Sequence, residues 1–134
     1  MKAPIGYWIK QADELLTKRI NEIHFSAGLT RTDWQVLNSI NGIGQITRNK
    51  LLTDIKPFAD ENSLNTIIAK LKDEGLLVEV TEEFTLTAKG IELHRSCLEK
   101  QNTFRQKAMI GISEQQYEET VSTLQKIVAN ISKI

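Results

Sequence analysis

The chain has one cysteine, two prolines, no surplus charge of either sign and no long apolar run, and each shortage excludes something. A single thiol, Cys97, cannot close an internal disulfide, so a cystine-stapled secreted scaffold is excluded and a reducing, cytoplasmic setting is expected. With proline only at positions 4 and 57, long helices are permitted almost everywhere else. No stretch of about 18 apolar residues occurs, so neither a spanning helix nor a membrane partner is expected. Lys10, Asp13, Glu14, Lys18, Arg19 and Glu22 interrupt the N-terminal stretch, leaving no uncharged apolar core for a secretion signal. Seventeen basic residues against seventeen acidic ones exclude a wholly polycationic surface, though not a local basic face.

What is present fits a soluble globular chain. The 134 residues are 40% hydrophobic and 25% charged, with a mean hydropathy of -0.28. That is enough for one compact domain, or a small domain with helical extensions, and it argues against disorder.

Helical periodicity dominates the chain. Trp8, Ala12, Leu15, Leu16, Ile20 and Ile23 form one apolar stripe across roughly residues 7–25, which Gly28 ends. Thr30 with Asp33 is spaced as a capping box for a second helix carrying Trp34, Leu37 and Ile40, stopped at Asn41-Gly42. Thr47 can cap a short third helix with Leu51, Leu52 and Ile55. Pro57 ends that helix, and Asp60 can cap a fourth with Leu64, Ile67, Ile68 and Leu71 inside and Gly75 at its end.

The period then falls to two. Val78, Val80, Phe84 and Leu86 are expected on one face of a hairpin and Glu79, Thr81 and Thr85 on the other, with Thr81-Glu82-Glu83 as the turn. Thr87 can cap a fifth helix running to about Met109. Gly111 interrupts, and Ser113 with Gln116 caps a sixth, striped with Tyr117, Val121, Leu124, Val128 and Ile131.

Short helices joined by a turn, then an amphipathic helix and a small hairpin, make the layout of a winged helix-turn-helix. The fold class expected is therefore mainly α with a small β-hairpin wing. An N-terminal helix (1–28), a winged helix-turn-helix DNA-binding domain (29–90) and C-terminal helices (91–134) divide the chain. A helix with its side chains matches the roughly 12 Å width of the DNA major groove. Arg48, Asn62, Ser63, Asn65, Thr66 and Lys70 are the candidate DNA-binding residues. Amides can pair with adenine edges, hydroxyls with bases or phosphates, and the cations with phosphates. The competing reading is that the polar residues only cap and solvate the fourth helix.

At these segments the sequence resembles the MarR family of transcriptional regulators. LTRTDWQVLNSI (29–40) resembles the family's second helix, NSLNTIIAKLKDEGLL (62–77) its recognition helix, and LTAKGIEL (86–93) the junction after the wing. The resemblance implies a homodimer held by the first, fifth and sixth helices and bound to pseudo-palindromic operator DNA. It also implies a repressor whose action a small ligand or an oxidant relieves. Three features depart from the family pattern. Glu61 and Thr66 stand where basic residues are common, the wing is short, and it carries Glu79, Glu82 and Glu83 in place of an Asp-x-Arg motif. Over residues 28–75 six basic residues face six acidic ones, so non-specific DNA affinity is expected to be weak.

The remaining residues point away from catalysis. No Gly-rich phosphate loop, nucleophile elbow or paired-carboxylate arrangement is present, so neither an enzyme nor a cofactor is expected. His24, His94 and Cys97 lack the spacing of a ligand set, and no metal is expected. His24 near a helix C-terminus reads as a dipole partner, and Cys97, in line with Leu93 and Phe104, as a buried structural thiol rather than a redox switch. Trp8, Trp34 and Tyr117 are candidates to line a small-molecule effector pocket, against the alternative that aromatics at helical spacing fill the core. The rival function is a winged-helix dimer that has lost strong DNA affinity and binds another protein.

Overall fold

Five side-chain caps fix where helices begin, the fifth being Thr87, which accepts from the Gly90 N–H at 3.0 Å. Thr30 accepts from the Asp33 N–H while the Asp33 carboxylate accepts from the Thr30 N–H, closing the expected capping box. Thr47 accepts from Lys50 N–H, Asp60 from Ser63 N–H, and Ser113 from Gln116 N–H with the reciprocal bond present. Each cap satisfies a backbone donor that the first turn of a helix otherwise leaves unpaired.

In the computed structural model, which describes residues 3–134, the elements follow in order. They are α1 (Ile5–Ser26), α2 (Arg31–Ile43), β1 (Gln45–Thr47), α3 (Arg48–Ile55), α4 (Glu61–Asp73), β2 (Leu77–Val80), β3 (Glu83–Leu86), α5 (Ala88–Ala108) and α6 (Glu114–Ser132). The expected class, mainly helical with a β-hairpin wing, is the observed one. Two compact units divide the chain, one ending at Gln101 and one spanning Asn102–Ile134.

In the first unit the stripes of α2, α3 and α4 meet the inner face of the sheet. Val36, Leu37, Ile40, Leu51, Ile55, Leu64, Leu71 and Phe84 are wholly buried. Burying each such aliphatic or aromatic side chain stabilises the fold by roughly 1.5–3 kcal/mol. In the second unit α6 keeps its apolar stripe but buries no residue.

Three details differ from the sequence expectation. First, α2 runs through Asn41-Gly42 to Ile43, and Gly44, at φ 91°, makes the stop. Second, Gln45–Thr47, expected as loop, is a strand, giving a three-stranded antiparallel sheet in the order β1-β3-β2. Third, the wing turn has two residues, because Val80 pairs with Glu83. Thr81 and Glu82 both take positive φ, 53° and 63°, the backbone of a tight hairpin turn that matches strand twist. Shortening the turn by one residue reverses the parity of β2 against β3. Val78 and Val80 therefore face outward and are exposed, and Glu79 sits opposite Phe84.

The start of α5 is pressed onto the end of α4. The carbonyl of Leu76 accepts from the Thr87 N–H at 3.0 Å, and the Thr87 hydroxyl donates to the Gly75 carbonyl at 2.6 Å. A Cβ on Gly90 would lie 2.0 Å from the Leu76 carbonyl oxygen. Only glycine allows that approach.

Candidate nucleic-acid interface

The Asp60 cap and the buried row Leu64, Ile68 and Leu71 orient α4 so that Asn62, Ser63, Asn65, Thr66 and Ala69 are exposed. At 100° per residue, Asn62, Asn65, Thr66 and Ala69 share one strip, with Ser63 to its side. The Thr66 hydroxyl donates to the Asn62 carbonyl at 3.1 Å, so its proton is committed to the helix while its oxygen can still accept. The positive end of α4 is already occupied. The Asp60 carboxylate accepts from Ser63 at 2.8 Å, and bonds to Ser63 hold its pKa below the usual range. Glu61 adds a second acidic residue in that turn. This end attracts an incoming phosphate less than a bare helix terminus would.

Three lysines of the head are engaged in ion pairs within the protein. Lys50 pairs with Asp54 at 2.8 Å, Lys70 with Asp33 at 2.6 Å and Lys72 with Glu79 at 2.6 Å. The Lys70 pair is the least solvated, since the Asp33 side chain is 3% exposed. Lys70 also donates to the Gly28 carbonyl at 3.3 Å, and its bond to Asp33 raises its pKa. Lys70 thus reaches back to the cap of α2, away from the exposed strip. The Lys72 bond holds the Glu79 carboxyl below its ordinary range.

Arg48 differs from these lysines. It donates from Nη1 to Asn65 Oδ1, and its guanidinium carbon lies 5.7 Å from the centroid of the Phe84 ring. Lys72 Nζ lies at the same 5.7 Å from that ring. Among the described residues Arg48 makes no close ion pair. It is a cation held beside the exposed strip outside any close ion pair, yet near enough to Glu79 to help hold that carboxyl's pKa down. Thr47, Arg48, Asn49, Glu79, Thr81, Glu82 and Glu83 line an open groove of about 560 Å³ between the start of α3 and the wing. The structure thus brings Arg48 and Asn65 together with Asn62 and Thr66 alongside, and turns Lys70 elsewhere.

Trp8 and Trp34 are not gathered in one place. Trp34 is buried and stacks with two imidazoles, His24 at 5.3 Å and His94 at 4.7 Å between ring centroids. Trp8, exposed and edge-on to Tyr7, precedes His24 by about 24 Å of helix. Tyr117 is exposed in the second unit. Burial lowers the pKa of both histidines, with Arg31 adding to the effect at His24. His24 is therefore a neutral buried ring rather than the dipole-stabilised cation its position suggested. Its Nε2 lies 2.9 Å from Gln101 Nε2, and its Nδ1 has no partner. Cys97 is buried, and burial raises its pKa, which keeps the thiol protonated and unreactive.

The stack, the Lys72–Phe84–Arg48 arrangement and the constraint at Gly90 were not legible from spacing. Each joins residues distant in sequence, and only the two histidines flagged a polar group on apolar faces.

No family model matches this chain, and no curated protein matches it. Solved structures do. A Mycobacterium tuberculosis MarR family protein in complex with DNA superposes with a TM-score of 0.74 at 21% identity, covering 94% of this chain and 98% of that one. The reduced form of MarR from E. coli gives 0.71 at 18% identity, with 95% of each chain covered. A Listeria innocua protein of unknown function gives 0.77 at 20% identity, covering 94% of this chain and 91% of that one. The chain has the winged helix-turn-helix fold found in MarR family transcriptional regulators.

Proposed function

We propose that the protein is a homodimeric, sequence-specific DNA-binding regulator that places α4 in the major groove of a pseudo-palindromic operator. The observation that carries this reading is the exposed strip Asn62, Asn65, Thr66 and Ala69 with Arg48, bonded to Asn65 and in no close ion pair, beside it. Its side chains are short, polar and suited to base edges, on a fold that in the mycobacterial neighbour is seen with DNA. Arg48 supplies the phosphate or base contact first expected of Lys70, and Ser63 flanks it.

Dimerisation is supported by apolar residues left wet on one chain. Ile5, Trp8, Leu15 and Leu16 of α1 and Tyr117, Val121, Val128 and Ile131 of α6 are all exposed, more apolar surface than a monomer ordinarily presents. Residues 1–28 and 91–134 act as the dimerisation segments and 29–90 as the reading head. Repression relieved by a small molecule belongs to the same reading, with Trp8 and Tyr117 as exposed aromatic surfaces for it and Trp34 as a buried one.

A second reading, docking of another protein, is favoured by one observation: three head lysines are consumed in ion pairs while Glu82 stands at the wing tip. Fluorescence anisotropy of the intact chain with DNA upstream of its own coding sequence, against random duplex, separates the two. Saturable binding with a clear preference for the upstream DNA supports the regulator. Equal, weak binding to both favours the protein-docking module.

A further inference from the structure

Resting on the reading of α4 as the DNA-reading helix, we infer that Arg48 and Asn65 act as one reader that selects guanine rather than adenine. A guanidinium carries only donors, so the Asn65 amide atom that meets it must be the oxygen. The bond from Arg48 Nη1 to Asn65 Oδ1 thus settles which way the exposed amide is turned. Phe84, wholly buried beneath the guanidinium, holds Arg48 from a second side through its ring face. Both ends of the unit are anchored, Arg48 on the first residue of α3 and Asn65 on α4.

An asparagine free to turn offers adenine a donor for N7 and an acceptor for the N6 amine. With its oxygen drawn to a cation, Asn65 presents its Nδ2 hydrogens, and Arg48 adds its remaining N–H groups. The combined surface is dominated by donors, with one lone pair of the Asn65 oxygen already taken by Arg48. Guanine shows the major groove two adjacent acceptors, N7 and O6, whereas adenine places an amine donor beside its N7. A donor-rich unit fits the first better than the second. Arg48 is the specificity-determining residue by two routes: it fixes the amide and it excludes an amine.

Selection from a randomised duplex library with the intact chain tests this, comparing the wild type with folded Arg48→Met and Asn65→Ala variants. The wild type is expected to prefer guanine over adenine by about tenfold at one position of each half-site. Asn65→Ala removes that preference at that position alone. Arg48→Met frees the amide and moves the preference towards adenine. A guanine preference that survives Asn65→Ala, or a wild-type adenine preference at the Asn65-dependent position, overturns the inference while leaving DNA reading by α4 in place. A library that yields no enriched sequence with the wild type overturns both.

Discussion

The indole of Trp34 lies flat against the imidazole of His94, with centroids 4.7 Å apart and planes 8° from parallel. His24 also stacks on Trp34, with centroids 5.3 Å apart and planes 19° from parallel, and His94 Nε2 is 2.9 Å from Asn38 Oδ1. The stack joins α1, α2 and α5 by rings whose burial disfavours their charged forms. Both histidines have folded pKa values below their ordinary 6.5. The unfolded chain therefore binds more protons as pH falls through that value, and stability is lost below it. Thermal midpoints should stay level above about pH 7 and fall by pH 5.5. A His24→Gln, His94→Gln double variant should show a flatter acid limb, and matching limbs would remove the stack from the explanation.

Lys70 and Arg48 separate two roles that their shared charge conceals. Lys70→Ala leaves the Asp33 carboxylate buried with the Thr30 N–H as its remaining donor. Discounted because the lysine side chain is 38% exposed, the loss should be about 1–3 kcal/mol of folding stability. Its effect on the salt dependence of DNA binding should be small. Arg48→Ala should do the reverse, lowering the salt slope by about one unit with little change in stability. Denaturant melts paired with salt titrations of both variants check this. An exchange of the two outcomes would return Lys70 to the DNA contact.

Gly90→Ala introduces a methyl where the Leu76 carbonyl oxygen stands 2.0 Å away. Backbone must move to admit it, so the variant should lose more than about 3 kcal/mol or fail to accumulate folded. Ala88→Gly, on the exposed side of the same turn, should cost no more than about 1 kcal/mol. A urea midpoint near wild type for Gly90→Ala would show that α5 can back away from α4.

The helices were legible in the sequence because each depends on nearby residues. The Thr30–Asp33 and Ser113–Gln116 boxes span three residues, and the apolar stripes need only a 3.6-residue period. The wing was legible as a hairpin but not in register. Thr81-Glu82-Glu83 as a three-residue turn puts Val80 and Phe84 on one face, whereas the two-residue turn puts Glu79 there. Neither Thr81 nor Glu82 is a residue that ordinarily advertises positive φ, so nothing local marked the shift. β1 was missed because three residues between two helices become a strand only through β3, forty residues on. At the interface, residue type named Arg48, Asn65 and Lys70 alike. Only the buried Asp33 carboxylate and the Phe84 ring decide which cation remains beside α4.

The central claim is that the exposed strip of α4 reads sequence, and the specificity ratio tests it most directly. The quantity is the affinity for a selected operator over that for random duplex, at one salt concentration, for the wild type and for an Asn62→Ala, Asn65→Ala, Thr66→Ala variant. Base contacts contribute to specific binding alone, at about 1–3 kcal/mol each. The ratio should collapse towards one in the variant, with random-duplex affinity and thermal midpoint nearly unchanged. A ratio that stays at the wild-type value in a folded variant would contradict the account and place DNA reading, if any, on another surface.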